Sequence, residues 1–512
     1  MINLFLLQDP VDIRYFDRTK NLKDIVILPL TLSSMVFCHN NKLKYFNPID
    51  FMKKNFHKKT IIESKKFEKK IKFDNKSNNT IKLEILVYLR FRFNSVAFLT
   101  EILEKINRRY KIKQIIIPGK NYNSHKIETF FLNEIFCHYL KQYKVKKISI
   151  PYSDESVNNE SCYSYVINKK INNNKKNILL SNLGYNFKRL IYLKKFKKVN
   201  LYYFSESRPN IVKNILIKFL NISPILIEKQ NKIKNYANIS LKINYNFKGK
   251  NLKELFSILI KKLSVHFIDL NQKGLAIKNF LGRNNFKLII VNSARDVSGF
   301  FSELSQKKTK VLNISHGTVA NGLNKFDKIY KENIASSVFT NRADYIAAQT
   351  KISAEYFSGK NLKKSKIIHG NLIFSEANQS KGKYLLYAVT TKTFYNMHFL
   401  GVEMYYEFFQ NLKFLNKLSK DKKIKIIVKL HPSEIKNSGD LSIIFPYLNF
   451  SNSSIDKLLK KSFATLSFSS TVIEDSLNSK VPVILFDRWK RYRHCKIPKS
   501  KDSKVPLFYV NK

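Results

Sequence analysis

Short apolar runs recur along this chain, each closed by a polar turn, and the gaps between them are long enough for a helix. Ile25–Leu30 is one such run, ending in Pro29-Leu30-Thr31, and it predicts a first strand. Ser95–Ile106 places apolar residues at helical spacing, and Gln114–Ile117 predicts a strand stopped by Pro118-Gly119. Ile127–Tyr143 is helical by periodicity, and Val145–Ile150 predicts a strand ended by Pro151. Strands alternating with helices imply a parallel sheet covered on both faces. Residues 51–80 are dense in Lys, Asn and Ser and read as an exposed, loosely ordered stretch. Residues 155–180 are polar and Asn-rich and read as a surface insertion; weaker alternation follows through 181–270.

The pattern sharpens at Phe286–Val291, a strand followed by Asn292-Ser293-Ala294-Arg295-Asp296 and a helical Val297–Leu304. Lys310–Ile314 predicts a strand ending at Ser315-His316-Gly317-Thr318, and Ala343–Ala347 and Lys366–Ile368 predict two more. A polar piece, Ser375–Lys383, then suggests a boundary near 371–382, dividing the chain into 1–371 and 372–512. The second unit reads as strand 384–389, helix 402–418, strand 424–428, helix 454–461, strand 464–468, helix 471–478 and strand 482–486. No internal repeat of fixed period is visible.

Composition narrows the class. A chain of 512 residues with 44% hydrophobic and 13% aromatic residues is globular and long enough for two or three domains. Its net charge of +56 comes from 93 Lys and Arg against 37 Asp and Glu. The excess is mostly Lys, scattered among Asn, Ile and Phe, so coding bias is its main source and attraction to an anionic membrane surface a consequence. No nucleic-acid-binding motif accompanies it, and nucleic acid is not an expected partner. Four cysteines (Cys38, Cys137, Cys162, Cys495) form no C-x-x-C pair, which implies neither a zinc site nor a disulfide framework and fits a reducing compartment. Met1–Asp9 lacks the basic lead and cleavage site of a secretory signal, and no uncharged run reaches about 18 apolar residues. The expected location is cytoplasmic, at rest on the inner face of the membrane.

Three segments at predicted strand ends carry the candidate chemistry, because open parallel sheets take ligands at the carboxyl ends of their strands. His431 follows a strand within Lys429-Leu430-His431-Pro432 and can bond a phosphate, although a satisfied loop histidine reads equally well. Ser469-Ser470-Thr471 stands before a helix, where hydroxyls and free amides suit an anion. Thr471-Val472-Ile473-Glu474 also matches a capping box, which explains Thr471 and Glu474 structurally and leaves Ser469 and Ser470 over. His316 sits in a small-residue loop where Gly317 allows close backbone approach or a positive φ; a turn histidine without a ligand is the plainer reading. No P-loop, G-x-G-x-x-G, H-E-x-x-H, G-x-S-x-G or Asp-x-Asp occurs, so metal-independent chemistry is expected, without a cofactor.

Taken in order, these segments resemble bacterial cell-surface glycosyltransferases and CDP-glycerol glycerophosphotransferases of the GT-B fold. Ile314–Thr318 resembles the family's HGT segment, Ala343-Asp344-Tyr345-Ile346 the segment after it, and Ile367–Asn371 the GN crossing, with Leu372 in place of the usual proline. Lys429–Pro432 resembles the HP motif and Ser469–Thr471 the SS motif; the resembling stretch covers 286–487. The resemblance implies an α/β, GT-B-like fold of two Rossmann-like domains with parallel sheets facing a cleft. Residues 1–371 would form the acceptor side, with insertions, and 372–512 the donor side. It implies His431 and His316 as catalytic residues, and Lys429, Ser469, Ser470, Thr471, Glu474, Thr390 and Thr391 at the donor. The implied partners are a nucleotide-activated donor and a polysaccharide or lipid-linked glycan acceptor. Glycerol-phosphate transfer and nucleotide-sugar epimerisation or hydrolysis are the alternatives on the same fold, and a non-catalytic polyanion or membrane binder is a third. The acidic-acidic-Gly base of related sialyltransferases has no counterpart here: Asp154-Glu155 is followed by Ser156. The catalytic base is therefore unassigned.

Overall fold

A computed structural model describes residues 1–8, 25–52, 56–73, 78–118, 143–148, 162–172, 176–182, 199–233, 241–305, 308–315, 317, 319–360, 362, 365–377, 382–389, 403–489, 494–496 and 507–510. Three parallel sheets organise them. The expected helix at 127–143 lies outside these residues.

The N-terminal sheet comprises Ile2–Leu7, Ile25–Pro29, Ile112–Pro118 and Val145–Ile148, all parallel, with the second strand at one edge and the first beside it. Leu4 and Leu6 enter the main core while Phe5 and Leu7 enter a second cluster on the opposite face. A strand buried on both faces has to be apolar throughout, which is why Leu-Phe-Leu-Leu runs unbroken.

The central sheet has seven strands: Asn177–Leu180, Asn200–Ser205, Ile222–Leu226, Leu288–Val291, Lys310–Asn313, Tyr345–Ala348 and Lys366–His369. Numbered as the chain meets them, they lie in the order 3-2-1-4-5-6-7, and every adjacent pair is parallel. The C-terminal sheet comprises Tyr384–Ala388, Ile426–Lys429, Leu448–Ser451, Ser462–Ser467, Val483–Phe486 and Leu507–Val510, in the order 3-2-1-4-5-6. Both are Rossmann orders, in which the chain starts at the middle of the sheet, winds to one edge and returns to wind to the other. Ala320, just past the fifth central strand, joins one apolar cluster with Ile473, Val483, Leu485, Cys495 and Leu507. The carboxyl ends of the two sheets therefore face each other. The protein is α/β with two Rossmann-like sheets in the GT-B manner, as expected, and the N-terminal sheet is a third layer that the sequence pattern did not separate from the central one.

Two expectations are corrected. The described residues of 51–80 are not loosely ordered: Phe56–Lys69 is a helix and Ile71–Phe73 a strand. Phe56, Thr60, Ser64 and Phe67 share the buried face, and Phe67 stacks on Phe93 at 4.9 Å. Eight lysines from 53 to 70 mask that 3.6-residue period. Nor do the described residues of 155–180 form a surface insertion, since Asn177–Leu180 is the first strand of the central sheet and Cys162–Val166 pairs antiparallel with Glu228–Ile233. Fully buried Asn177 is satisfied by donating to Asn172 O (2.8 Å) and accepting from Asn200 Nδ2 (3.1 Å). Asparagine can thus open a central strand when its amide is bonded on both sides.

Two long helices bind the layers together. Asn79–Tyr110 is buried along most of its length, capped by Asn78, whose Oδ1 accepts from Ile81 N at 3.0 Å. Glu303 satisfies further orphan donors of its first turn, accepting from Asn79 N (3.0 Å) and Thr80 N (2.9 Å). Lys253–Arg283 packs along Cys162–Val166 and meets Asp296–Leu304 where Gly274 lies against Phe300. The C-terminal sheet is gripped from both other layers: Tyr405 donates its hydroxyl to Pro29 O (2.6 Å), and Lys331 donates Nζ to His494 O (2.5 Å).

Candidate functional site

In the C-terminal sheet the strand order reverses between Tyr384–Ala388 and Ser462–Ser467, which pair in parallel with Ala388 opposite Ser467. A crevice opens beyond the carboxyl ends at such a point, because the flanking connections leave to opposite faces. Ser467 Oγ donates to Ala388 O (2.9 Å) and accepts from Ser470 N (3.4 Å), so one buried hydroxyl fixes the turn Ser467–Ser470 across the strand ends. Phe468 anchors the same turn against Tyr330 of the helix Lys325–Val338. Ser469 is half-buried and Ser470 buried at its surface.

The expected capping box is absent. Thr471 already has helical φ/ψ (−60°, −15°) and makes no side-chain cap bond; Ser470 Oγ instead accepts from Val472 N at 3.3 Å. An N-cap needs extended backbone to turn its oxygen onto the first amides, and Thr471 lacks it. The helix behind is only Val472–Asn478. Glu474 is fully buried, with Oε1 4.0 Å from Nε2 of buried His494, whose imidazole burial holds below its usual pKa. Asp475 accepts from Ser375 N (2.6 Å), tying the inter-sheet segment to this unit.

Lys429 is the last residue of the neighbouring strand, opposite Ala388 on one side and Ser451 on the other. It is half-buried, and desolvation lowers its ammonium pKa. Two residues on, half-buried His431 accepts Glu434 N on its carbonyl (2.8 Å), opening the 3-10 turn Pro432–Asn437. Asn437 Nδ2 donates to Glu434 Oε2 (2.8 Å) and its Oδ1 accepts from Ser33 Oγ (2.9 Å). The N-terminal layer thus clamps the His431 turn from outside. Lys429, His431, Ser469, Ser470 and Thr471 share one end of one sheet, while Glu474 points into the interior. His316, Thr318, Thr390 and Thr391 lie outside the described residues. Around His316, Ser315 Oγ accepts from Gly317 N (2.9 Å), and Gln349 Nε2 donates to Ser315 O (2.8 Å). A Cβ on Gly317 would stand 3.3 Å from Val338, so close approach accounts for this glycine.

The reversal point of the central sheet holds a cluster that no sequence motif singles out. Arg295 forks onto fully buried Glu84, with Nε 3.1 Å from Oε1 and Nη2 2.9 Å from Oε2, and Asp296 N donates to Oε1 at 2.8 Å. Asp296 has φ +51°, strained for a residue with a side chain. Burial and the Glu84 charge push its carboxyl up to about 7, against the pull of Arg295. Glu84 lies more than two hundred positions upstream, so no local motif reveals the pairing.

A groove of 670 Å³ lies elsewhere, between Phe56–Lys69 and Asn79–Tyr110. Charges along it pair with each other, as Lys248 with Glu104 (2.6 Å), and no strand of the three parallel sheets lines it. Among the described residues no helix is long and apolar enough to cross a membrane.

No protein-family model matches the chain, and no curated protein matches it. Among solved structures it is similar to the UDP-GlcNAc 2-epimerase from Methanocaldococcus jannaschii, 14% identical over 60% of this chain and 83% of that one, with a TM-score of 0.32. It is similar to S. aureus MnaA solved with UDP, at 12% identity over 61% and 79%, TM-score 0.34. It is also similar to a variant of the wall teichoic acid polymerase TagF soaked with CDPG, at 13% identity over 65% and 76%, TM-score 0.32. At these identities and scores the likeness carries no argument about activity, and the fold stands on the two strand orders.

Proposed function

We propose that the protein is a metal-independent glycosyltransferase that moves a sugar from a nucleotide-activated donor to a cell-surface polysaccharide or lipid-linked glycan. The observation that carries this reading is the gathering of Lys429, His431 and the Ser469-Ser470 turn at the reversal point of a Rossmann-ordered sheet. Such a set offers an ammonium, an imidazole and hydroxyls to one phosphate, and supplies positive charge where the nucleotide leaves. In this reading residues 372–512 hold the donor and 1–371 the acceptor, with Thr390 and Thr391 assigned to the donor and His316 to the acceptor or the leaving group. Glu474 reaches a donor ribose only if the His494 segment moves aside, since it is buried.

Work on the inner face of the cytoplasmic membrane fits two further observations. The helix Ile211–Phe219 exposes Ile211 (79%), Ile215 (64%) and Phe219 (86%) at i, i+4 and i+8, one apolar stripe. The net charge of +56 would draw that stripe to anionic lipid. Transfer of glycerol phosphate from a CDP-linked donor is the alternative at the same site, and epimerisation or hydrolysis of a nucleotide sugar a further one.

A thermal-shift screen of CMP, CDP, UDP and GDP tests the donor site, because a ligand that binds only the folded state raises its stability. One preferred nucleotide is expected. The matching donor is then incubated with and without a glycan acceptor: consumption that requires acceptor supports transfer, and conversion without acceptor supports the epimerase or hydrolase. Absence of saturable nucleotide binding overturns the reading.

A further inference from the structure

We propose that Asp296 takes the proton from the acceptor hydroxyl, with Glu84 and Arg295 as the residues that position it. This rests on the transferase reading and fills the one role in it that no sequence motif supplies.

The location comes first. Asp296 begins the helix Asp296–Leu304, just past the fourth strand of the central sheet, Leu288–Val291. That strand lies beside the first strand, Asn177–Leu180, where the order reverses. It is the counterpart, in the facing sheet, of the turn Ser467–Ser470, and ligands of open α/β sheets lie outside strand ends at such points. Asp296 is exposed to solvent at the start of its helix.

The local geometry is held at a cost. A positive φ on a residue with a Cβ costs on the order of 1–3 kcal/mol and persists only where the surroundings enforce it. Here the enforcing group is Glu84, fully buried on the helix Asn79–Tyr110, which accepts Asp296 N while Arg295 holds it through Nε and Nη2, one edge of its guanidinium. A carboxylate serving only to begin a helix needs neither the strain nor a buried carboxylate against it. Glu84 raises the energy of ionised Asp296, as a like charge does.

The charged groups facing Asp296 are Glu84 from its helix, Arg295 from its own turn, and Glu206 from the end of Asn200–Ser205. Glu206 is itself paired with Lys273 of Lys253–Arg283. The protein packed around the Asp296 carboxyl, then the Glu84 charge, pushes it up, Arg295 opposes, and a hydrogen bond with the Glu84 carboxyl and the Glu206 charge add smaller pushes, to about 7. A base poised there is both ionised in good part and avid for a proton.

The step balances as follows. The acceptor O–H proton passes to an Asp296 carboxylate oxygen, and the acceptor oxygen bonds to the electrophilic carbon of the donor. The bond from that carbon to the nucleotide phosphate breaks, its electron pair leaving on the phosphate beside Lys429, His431 and the serine turn.

Asp296→Asn is close to isosteric, and Asn tolerates positive φ, so the variant should fold. Nucleotide affinity, read by thermal shift, should be unchanged, and turnover should fall about 10²- to 10⁴-fold. In Glu84→Gln the acid limb of the kcat/KM profile should move to lower pH, since the repelling charge is gone, a displacement that a purely structural role would not produce. Turnover by Asp296→Asn within about fivefold of the parent, below any general-base contribution, overturns the proposal. So does an acid limb unmoved in folded Glu84→Gln. Loss of nucleotide binding in the parent protein itself overturns the donor site instead, and the base along with it.

Discussion

Ser467 donates its hydroxyl to Ala388 O at 2.9 Å, a side-chain bond between strands adjacent in space and 79 positions apart in the chain. It closes the two strand ends at the reversal point of the C-terminal sheet, and the same oxygen receives Ser470 N. Ser467→Ala leaves a buried carbonyl and a buried amide short of a partner. The expected loss is about 1–3 kcal/mol of stability in chemical denaturation, together with weaker nucleotide binding as the Ser469-Ser470 turn loosens.

His431 and Lys429 should separate by function. His431→Ala removes a half-buried side chain from a turn whose backbone is fixed by Glu434 and Asn437, so melting should shift by less than about 3 °C while turnover collapses. Lys429→Met keeps the apolar stem of a half-buried lysine and deletes its charge. Nucleotide affinity should drop about 10- to 100-fold, the worth of a charged hydrogen bond. Calorimetric titration of both variants with the preferred nucleotide checks the difference.

Glu303 predicts an acid weakness. Burial would raise its carboxyl, but the Thr80 hydroxyl, Arg342 and the amides of Asn79 and Thr80 outweigh that and pull it to about 2. A lowered folded pKa means that the stability is fully present above the unfolded value near 4.5 and is lost as pH falls through about 2. Discounted for solvent screening, the loss is on the order of 1–2 kcal/mol. Glu303→Gln should therefore flatten the stability profile of the parent between those two pH values, as read by urea unfolding.

Gly274 tests the contact between the long helix and the helix that Asp296 begins. A Cβ there would stand 2.5 Å from the Phe300 ring, which is itself fully buried. Gly274→Ala should destabilise by about 1–3 kcal/mol despite the better helix propensity of alanine, because overpacking outweighs the roughly 1 kcal/mol gained. Thermal unfolding decides the sign.

The apolar stripe on Ile211–Phe219 makes a membrane prediction. The parent protein should sediment with anionic phospholipid vesicles at low salt and less at high salt, as screening weakens the attraction of its lysines. Ile215→Glu with Phe219→Glu should release it at either salt. Equal sedimentation of the double variant would remove this helix from the contact.

Legibility differed by element for physical reasons. Tyr384–Ala388 and Val483–Phe486 were readable because a strand buried on both faces must be apolar along its whole length. Phe56–Lys69 was hidden because its solvent face is so rich in lysine that the composition outweighs the period. Asn177–Leu180 was hidden because its polar flanks, and even its first residue, bond inside the fold rather than to water. The capping box failed on a dihedral angle, which residue types at fixed spacing do not report.

Local order was enough to foretell an α/β chain and to mark Lys429, His431 and the Ser469-Ser470 pair, since each stands where an apolar run gives way to a turn. Tertiary structure alone decided the two Rossmann orders, the separate N-terminal layer and the placing of Glu474 in the interior. It alone brought Glu84 to Asp296. Hydrophobic period is a property of neighbours in the chain, whereas strand order and the pairing of charges depend on which distant segments share a core.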